Sequence, residues 1–453
     1  MRPLPGLLAA ETVSLAGSHI ATVAVPWLVL VTTGSATRVG VVALAQTLPF
    51  VLAGVLGGAL VDRTGPRRVA IAADVVSAIT VGLIPLLHLF GQLTFGRLVA
   101  TVAVSGAVAG CGAVAKRALL PVAVEVSGTP MGRATGLFEG LSRAALLVGL
   151  PLGGILVASF GPATVLLIDA ASFAVAAVLV TTTVRFPAAD HQTAGSAVAP
   201  AAPAAADPPP QTRAGVATRG IAAGFAFLRR DRLILAVTAM LFFTNLADQA
   251  YIAVFLPVWV RETGAGPAAF GLVGGVFGLG AVLGATAYSI LAVRVPRALT
   301  FVVCFLIAGS PRLFTLALSN ELWLILAVAF GAGLAIAAVN PILMAVGYER
   351  IPAHLRGRVL GVIGALSYAG LPLGGLLGGL AVDGTGLRAA LLSAGALYLA
   401  VTLAPLFFLS RLTRSLEPPA SVEPSTSGDA STSLYGGPSD AADHPRTPSA
   451  TVG

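Results

Sequence analysis

Charge is what this sequence has least of. Of its 453 residues 10% are Asp, Glu, Lys or Arg, and 56% are hydrophobic, where an ordinary soluble domain carries about 25% charged residues. A water-soluble globular fold is excluded. Lysine is represented by Lys116 alone; the other basic residues are arginines. Because Val and Ala precede that lysine, no G-x-x-x-x-G-K-[ST] loop exists, and an ATP motor is excluded. There is no H-E-x-x-H, no clustered histidine and no nucleophile with a base beside it, so an enzyme is not expected. The two cysteines, Cys111 and Cys304, lie in apolar runs and offer neither a disulfide framework nor a metal site. Aromatics make up 6%. Phe242, Phe243, Tyr251, Trp259 and Trp27 fall near one another on two apolar runs, as cavity lining or as interfacial anchors.

What is present is one long apolar run after another. A bilayer core of about 30 Å takes about 20 helical residues to cross. Twelve such spans are expected, at 6–32, 37–61, 68–90, 93–115, 134–158, 162–184, 233–259, 267–292, 297–319, 321–346, 358–382 and 386–410. The runs do not alternate polar with apolar as barrel strands do. The fold class is therefore an all-α membrane protein of twelve transmembrane helices. Glycines spaced four apart inside the runs, such as Gly106 and Gly110 or Gly280 and Gly284, give small faces on which helices approach closely in lipid.

The net charge of +8 reads as topology rather than as a nucleic-acid surface. Alternate connections collect the basic residues, from Arg63, Arg67 and Arg68 through Lys116, Arg117 and Arg133 to Arg350, Arg356 and Arg358. The opposite set holds Arg38, Arg261 and Arg388, with Arg97 and Arg312 at or near span ends. By the positive-inside rule both termini are cytoplasmic and the protein sits in the cell membrane. An Ala/Pro-rich flexible cytoplasmic linker at 186–218 separates a six-helix bundle at 1–185 from a second at 219–414. Residues 415–453 read as a disordered cytoplasmic tail. The halves repeat: GR at 132–133 with GLPLGG at 149–154 answers GR at 357–358 with GLPLGG at 370–375. VLG at 55–57 likewise matches VLG at 282–284, and in that register Arg67 falls on Arg294 and Asp62 on Ser289. Two six-span pseudo-repeats with a site between them are the pattern of a secondary transporter.

The connection 58-GALVDRTGPRR-68 carries Gly58, Asp62, Arg63, Gly65, Arg67 and Arg68. It resembles the G-x-x-x-D-R-x-G-R-R/K signature of the major facilitator superfamily, with Pro66 displacing the basic block by one place. SLAGSHIATVAVPWLVL, SRAALLVGLPLGGILVASFGPATVLLIDAASF and AYIAVFLPVWVRETGAGPAAFGL are similar to the macrolide-efflux-like, drug:proton antiporter branch. The resemblance implies a major facilitator fold in which the connection acts as a cytoplasmic gate. Asp62 would pair with Arg63 or Arg67, or face the start of the eleventh span, while the outer side is open. A second signature, G-P-x-x-G-G, is met by Gly149, Gly153 and Gly154 with its proline moved to Pro151. Its counterpart is Gly370, Pro372, Gly374 and Gly375, and both read as helix-packing motifs. A third signature, an arginine in the fourth span, is absent, and Val102 holds that place.

An ionisable side chain inside a span needs a partner, an aqueous cavity or a titrating role. Asp248 shares a helix face with Asn245 and Gln249 near the middle of the seventh span, the leading site for proton and substrate contact. Asp169 in the sixth span is a second coupling candidate. Glu139 and Arg143, four apart in the fifth, are expected to pair with each other or across the cavity. Glu11 and His19 lie close to one face of the first span, and Asp74 is expected near the charged connection. The expected function is export of a small lipophilic or amphiphilic compound by alternating access with proton antiport. Alternatives are a proton-coupled importer and a transport-inactive sensor or scaffold. Expected partners are the bilayer, the small molecule and protons, with no nucleic acid, no metal, no cofactor and no second copy of the chain.

Overall fold

The computed structural model describes residues 3–184, 222, 224–292, 294–352 and 355–404. The expected linker at 186–218 and tail at 415–453 lie outside the described residues. Among those residues there is no strand. The helices are α1 Pro3–Thr33, α2 Ala36–Thr64, α3 Pro66–Leu89, α4 Phe95–Ser127, α5 Met131–Thr183, α6 Arg232–Ala250, α7 Leu256–Glu262, α8 Gly266–Leu291, α9 Arg297–Ala308, α10 Ser310–Leu318, α11 Leu322–Arg350, α12 Arg356–Tyr368, α13 Gly370–Thr385 and α14 Leu387–Leu403.

These make twelve crossings among the described residues. Ten helices are long and apolar enough to span a bilayer. One of them, α5, breaks at Gly161 (φ 78°, ψ 161°) with Pro162 next in line, so it crosses twice. The shorter apolar helix Leu387–Leu403 supplies the last. Three crossings are built from two helices. A π-helical turn at Tyr251–Phe255 joins α6 to α7, a break at Gly309 (φ −100°, ψ −96°) joins α9 to α10, and Ala369 joins α12 to α13. Several starts follow local sequence. Ser35 caps α2 through Arg38 N, Thr94 caps α4 through Arg97 N, and Asp231 caps α6 through Leu233 N and Ile234 N, the roles such residues favour. α4 runs to Ser127, so Lys116, expected in a connection, is inside a helix and buried.

Glycine faces close the packing. A Cβ on Gly106 would strike the Gln46 carbonyl of α2, and one on Gly284 the Leu334 carbonyl of α11. The two GLPLGG stretches do the same work in each half. Gly149 and Gly153 lie against α1, and Gly370 and Gly374 against α6. The final glycine of each faces the opposite half: Gly154 meets Gly271 of α8, and Gly375 meets Ala43 of α2. The internal repeat read from sequence is thus a repeat of contacts.

Direction alternates along the chain. The connections at 65, 128–130, 292–296 and 351–355 lie at the arginine-rich end, and those at 34–35, 90–94, 161, 263–265, 319–321 and 386 at the arginine-poor end.

Candidate functional site

The seventh crossing positions the leading candidates. Asp248 accepts a hydrogen bond at 2.7 Å from Arg312 Nη2, forming an ion pair whose arginine side chain is 12% exposed and whose aspartate is 37% exposed. Arg312 was expected at a span end. The break at Gly309 instead turns α10 so that its guanidinium enters the bundle. There it lies 5.2 Å from the Tyr251 ring centre on the π-helical turn and 5.4 Å from that of Phe277 on α8. Stacking on aromatic faces suits a weakly hydrated guanidinium. Arg312 Nε and the Tyr398 hydroxyl of α14 are buried and have no hydrogen-bond partner.

The open side of Asp248 faces a cavity of about 360 Å³ in the second half, within the ~300–1,000 Å³ usual for small-molecule sites. Its walls run from Leu233, Ile234 and Ile351 at the arginine-rich end to Asp248, and Phe305, Val339 and Leu343 keep them largely apolar. Asn245, Asn340 and Ser367 add polar groups. Asn245 Nδ2 donates to the Ser367 carbonyl at 3.0 Å, so it also ties α6 to α12 one residue before Tyr368, where α12 ends. Gln249 is half-buried with its Cβ beside Gly374 of α13. It is not among the residues lining this cavity.

The first half arranges its charges differently. Asp169 is 3% exposed on the second limb of α5, faces Gly17 of α1 and accepts Ser172 Oγ at 3.4 Å. Among the described residues it has no cation in ion-pair range. Glu139 and Arg143 are both exposed and form no ion pair. Among the described residues the expected pairing is absent, and both side chains point away from the packed core of the bundle. His19 is half-buried against Gly149. Glu11 pairs with Lys116 at 3.4 Å, and Lys116 pairs with Asp74 at 2.9 Å. Asp74 therefore meets a buried lysine rather than the charged connection.

In that connection Gly65 sits at φ 87° between α2 and α3, a backbone that glycine adopts without strain. Arg67 donates to the Val184 carbonyl and, at 2.8 Å, to the Thr181 carbonyl at the end of α5. It caps a helix of its own half. Asp62, Arg63 and Arg68 are exposed and Gly58 is half-buried. Among the described residues Asp62 makes no bond to Arg63, to Arg67 or to the start of α12, and no hydrogen bond joins the halves at this end.

They are joined at the other end. Asp383, near the end of α13, takes Ser35 Oγ at 2.8 Å, Ala36 N at 3.1 Å and Thr37 N at 2.9 Å, and Thr37 Oγ1 donates to the Gly379 carbonyl at 3.3 Å. A carboxylate thus covers the amide end of α2, the place where a helix favours an anion. Among the described residues, these are all the hydrogen bonds between the halves. The close cross-half glycine contacts lie in the same part of the membrane: Gly40 on Gly375, Gly379 on Ala36, and Gly271 on Leu150 and Gly154.

Asp383 belongs to a repeat that the sequence reading overlooked. Residues 57–65 read GGALVDRTG and residues 378–386 read GGLAVDGTG, so G-G-x-x-V-D-x-T-G ends both α2 and α13. Gly386 sits at φ 85°, ψ 156°, as Gly65 sits at φ 87°, ψ 139°.

The Major Facilitator Superfamily model matches residues 7–247 and 238–441. The chain belongs to the Major Facilitator Superfamily. It is accordingly a multi-pass membrane transporter and not an enzyme. It is 30% identical over 401 residues to the multidrug efflux pump Tap of Mycobacterium tuberculosis (strain ATCC 25618 / H37Rv), covering 85% of this chain and 88% of that one. To the Tap of Mycolicibacterium fortuitum it is 30% identical over 398 residues, covering 86% and 92%. Among solved structures it is similar to the nucleoside transporter NupG, with a TM-score of 0.71 and 12% identity over 90% of this chain and 99% of that one. It is also similar to a D-xylose–proton symporter, with a TM-score of 0.67 and 14% identity over 91% and 98%. At such identities these structures show the fold. Among the described residues no group of three or more His, Cys, Asp or Glu is placed to hold a metal ion.

Proposed function

We propose that this member of the superfamily exports a small lipophilic or amphiphilic compound by alternating access, in exchange for protons. Its arginine-rich end, with both chain termini, faces the cytoplasm. The observation that carries the reading is the one-sided joining of the halves: among the described residues every hydrogen bond between them lies at or beside Asp383, while the cavity runs from the opposite end. That is the arrangement of a transporter closed to one side of a membrane and loading from the other. The largely apolar cavity wall suits a lipophilic cargo, and the mycobacterial relatives named as multidrug efflux pumps support the outward direction. The ion gradient supplies the energy, no cofactor takes part, and the chain works as a monomer. Asp248 is the residue that meets cargo and proton, because it joins an ion pair to an open cavity face. Asp169, buried without a cation, holds a proton in the first half.

The test is efflux of a panel of lipophilic dyes and antibiotics from intact cells, with and without an uncoupler, for the parent and for Asp248→Asn and Asp169→Asn. The parent should lower accumulation only while the proton gradient stands, and Asp248→Asn should cost at least about tenfold in rate. Parent-like pumping by both variants would remove the coupling assignment. Accumulation in place of extrusion would reverse the direction.

A further inference from the structure

A second group of buried charges sits in the first half, and the export reading makes no use of it. The lone lysine of the chain, Lys116 of α4, is 4% exposed, and its ammonium lies 2.9 Å from Asp74 Oδ1 of α3 and 3.4 Å from Glu11 Oε2 of α1. Three helices are bridged by one ammonium. The same helices contribute Leu7, Ala70, Ala115 and Leu119 to one buried apolar cluster, and Lys116 and Asp74 are themselves buried at 4% and 3% exposure. Each of the three residues lies about 12–17 Å along its helix from the arginine-rich end, at 1.5 Å per residue.

The charges do not balance. Two carboxyl groups face one ammonium, and an unpaired charge in such surroundings is expensive. The surplus is also local: Asp74 Oδ2 is buried and, among the described residues, has no hydrogen-bond partner. Among the described residues no other charged group supplies the difference. On the neighbouring elements Arg117 of α4, Glu139 and Arg143 of α5 and Asp62 and Arg63 of α2 are exposed and do not touch the cluster. Arg67 of α3 is engaged with the end of α5. Asp169, the other acid of α5, faces Gly17, and His19 of α1 lies against Gly149.

We propose that the Glu11–Lys116–Asp74 cluster is a proton-binding site that holds one proton on its surplus carboxyl group in the state seen here. This deepens the antiport reading and rests on it, naming a coupling site in the first half beside the Asp248–Arg312 pair of the second. It also selects the ion. The position between the two carboxylates, where a sodium ion would sit, is filled by the Lys116 ammonium, so the vacant capacity is that of a carboxyl oxygen for a proton. Entry is through Glu11, whose side chain is 13% exposed where those of Asp74 and Lys116 are 4% and 5%. A proton reaching Glu11 can be passed to Asp74 through Lys116: the ammonium gives one proton to Asp74 and the amine takes one from Glu11, so one N–H bond is broken and one formed, and one O–H bond is broken and one formed.

Infrared difference spectroscopy of the full chain in proteoliposomes tests this without any cargo. As the pH is stepped through neutrality, the chain carrying Asp169→Asn, which removes the proton assigned to Asp169, should show the carbonyl band of one remaining protonated buried carboxyl group. In that background Glu11→Gln or Asp74→Asn should remove it, Asp248→Asn should leave it, and replacing sodium with choline should not alter it. Lys116→Met, having lost its cation, should show two such carboxyl groups. In the cell efflux assay Glu11→Gln and Asp74→Asn should lose at least about tenfold in uncoupler-sensitive export. A spectrum without this band, a band that both acid variants keep, or a band removed while export and uncoupler sensitivity stay at parent level would each overturn the proposal. Failure of the export reading would appear separately, as a parent that extrudes nothing while the band of the Asp169→Asn chain still titrates.

Discussion

Two copies of G-G-x-x-V-D-x-T-G end two helices that pack against each other, yet only one is in use. At 378–386 the aspartate is locked onto the amide end of α2 by three hydrogen bonds. At 57–65 the equivalent Asp62 is exposed and unbonded. The two glycine turns have nearly the same backbone angles, so local sequence does not account for the difference. It lies in what each motif faces. α13 ends where the halves touch, and α2 ends where they have parted. On the proposed alternating-access reading the pair would form two latches on opposite sides of one bundle. Asp383 would hold the present state, and Asp62 would hold the alternative by covering the amide end of α12 when that side closes.

The comparison is broken most severely by preventing closure at the engaged end. A Cβ on Gly40 would collide with the Gly375 carbonyl, and neither backbone can yield without separating α2 from α13. Gly40→Val should abolish the present state, with export reduced at least about a hundredfold, since a core of this density does not absorb such an overlap. Spin labels at Thr33→Cys and Thr385→Cys, with Cys111 and Cys304 replaced, should move apart by several ångströms. An unchanged distance would mean that the glycine contact does not hold the two helices together.

Removing the anion is milder. Asp383→Ala loses a carboxylate cap and its dipole interaction with α2, about 1–2 kcal/mol at a partly solvated site. The ratio of the two states should shift about five- to thirtyfold away from the present one. The same labelled pair reports it as growth of the longer-distance population, and fold stability should change little because each half keeps its own packing.

How much of this was legible beforehand depended on the kind of information involved. Spans, halves and the family resemblance rest on composition and local spacing, and the helices lie where those placed them, apart from the longer α4. The GLPLGG stretches were read as packing faces, and their glycines meet neighbouring backbones. Partners were harder. Arg312 was assigned to a span end because no pattern announced that Gly309 would fold it toward Asp248, and Lys116 was assigned to a connection because α4 outlasts its apolar run. Glu139 and Arg143 have ideal helical spacing for a pair, but spacing cannot tell a solvated face from a dry one. Asp383 escaped because the halves were compared six spans against six, a register in which Ser289 stands opposite Asp62. Its counterpart belongs to a relation across the membrane, between the second and eleventh crossings, which a parallel repeat does not contain.

The subtlest prediction asks whether the two latches act on one equilibrium. Asp62→Asn removes nothing that is bonded in the present structure, so it should leave this state intact and weaken only the alternative, shifting the population toward the present one. Asp383→Ala shifts it the other way. Residues this far apart with no shared partner should combine additively, so the double variant Asp62→Asn, Asp383→Ala should return most of the way to the parental distance distribution. Its rate of interconversion should exceed that of either single variant, because both wells have become shallower while the barrier between them has not. Cancellation in the distance measurement is the signature of two latches opposing each other on one switch. If the double variant stayed where Asp383→Ala alone had put it, Asp62 would have no part in the alternative state, and the shared nine-residue motif would be a turn used twice rather than a latch used alternately.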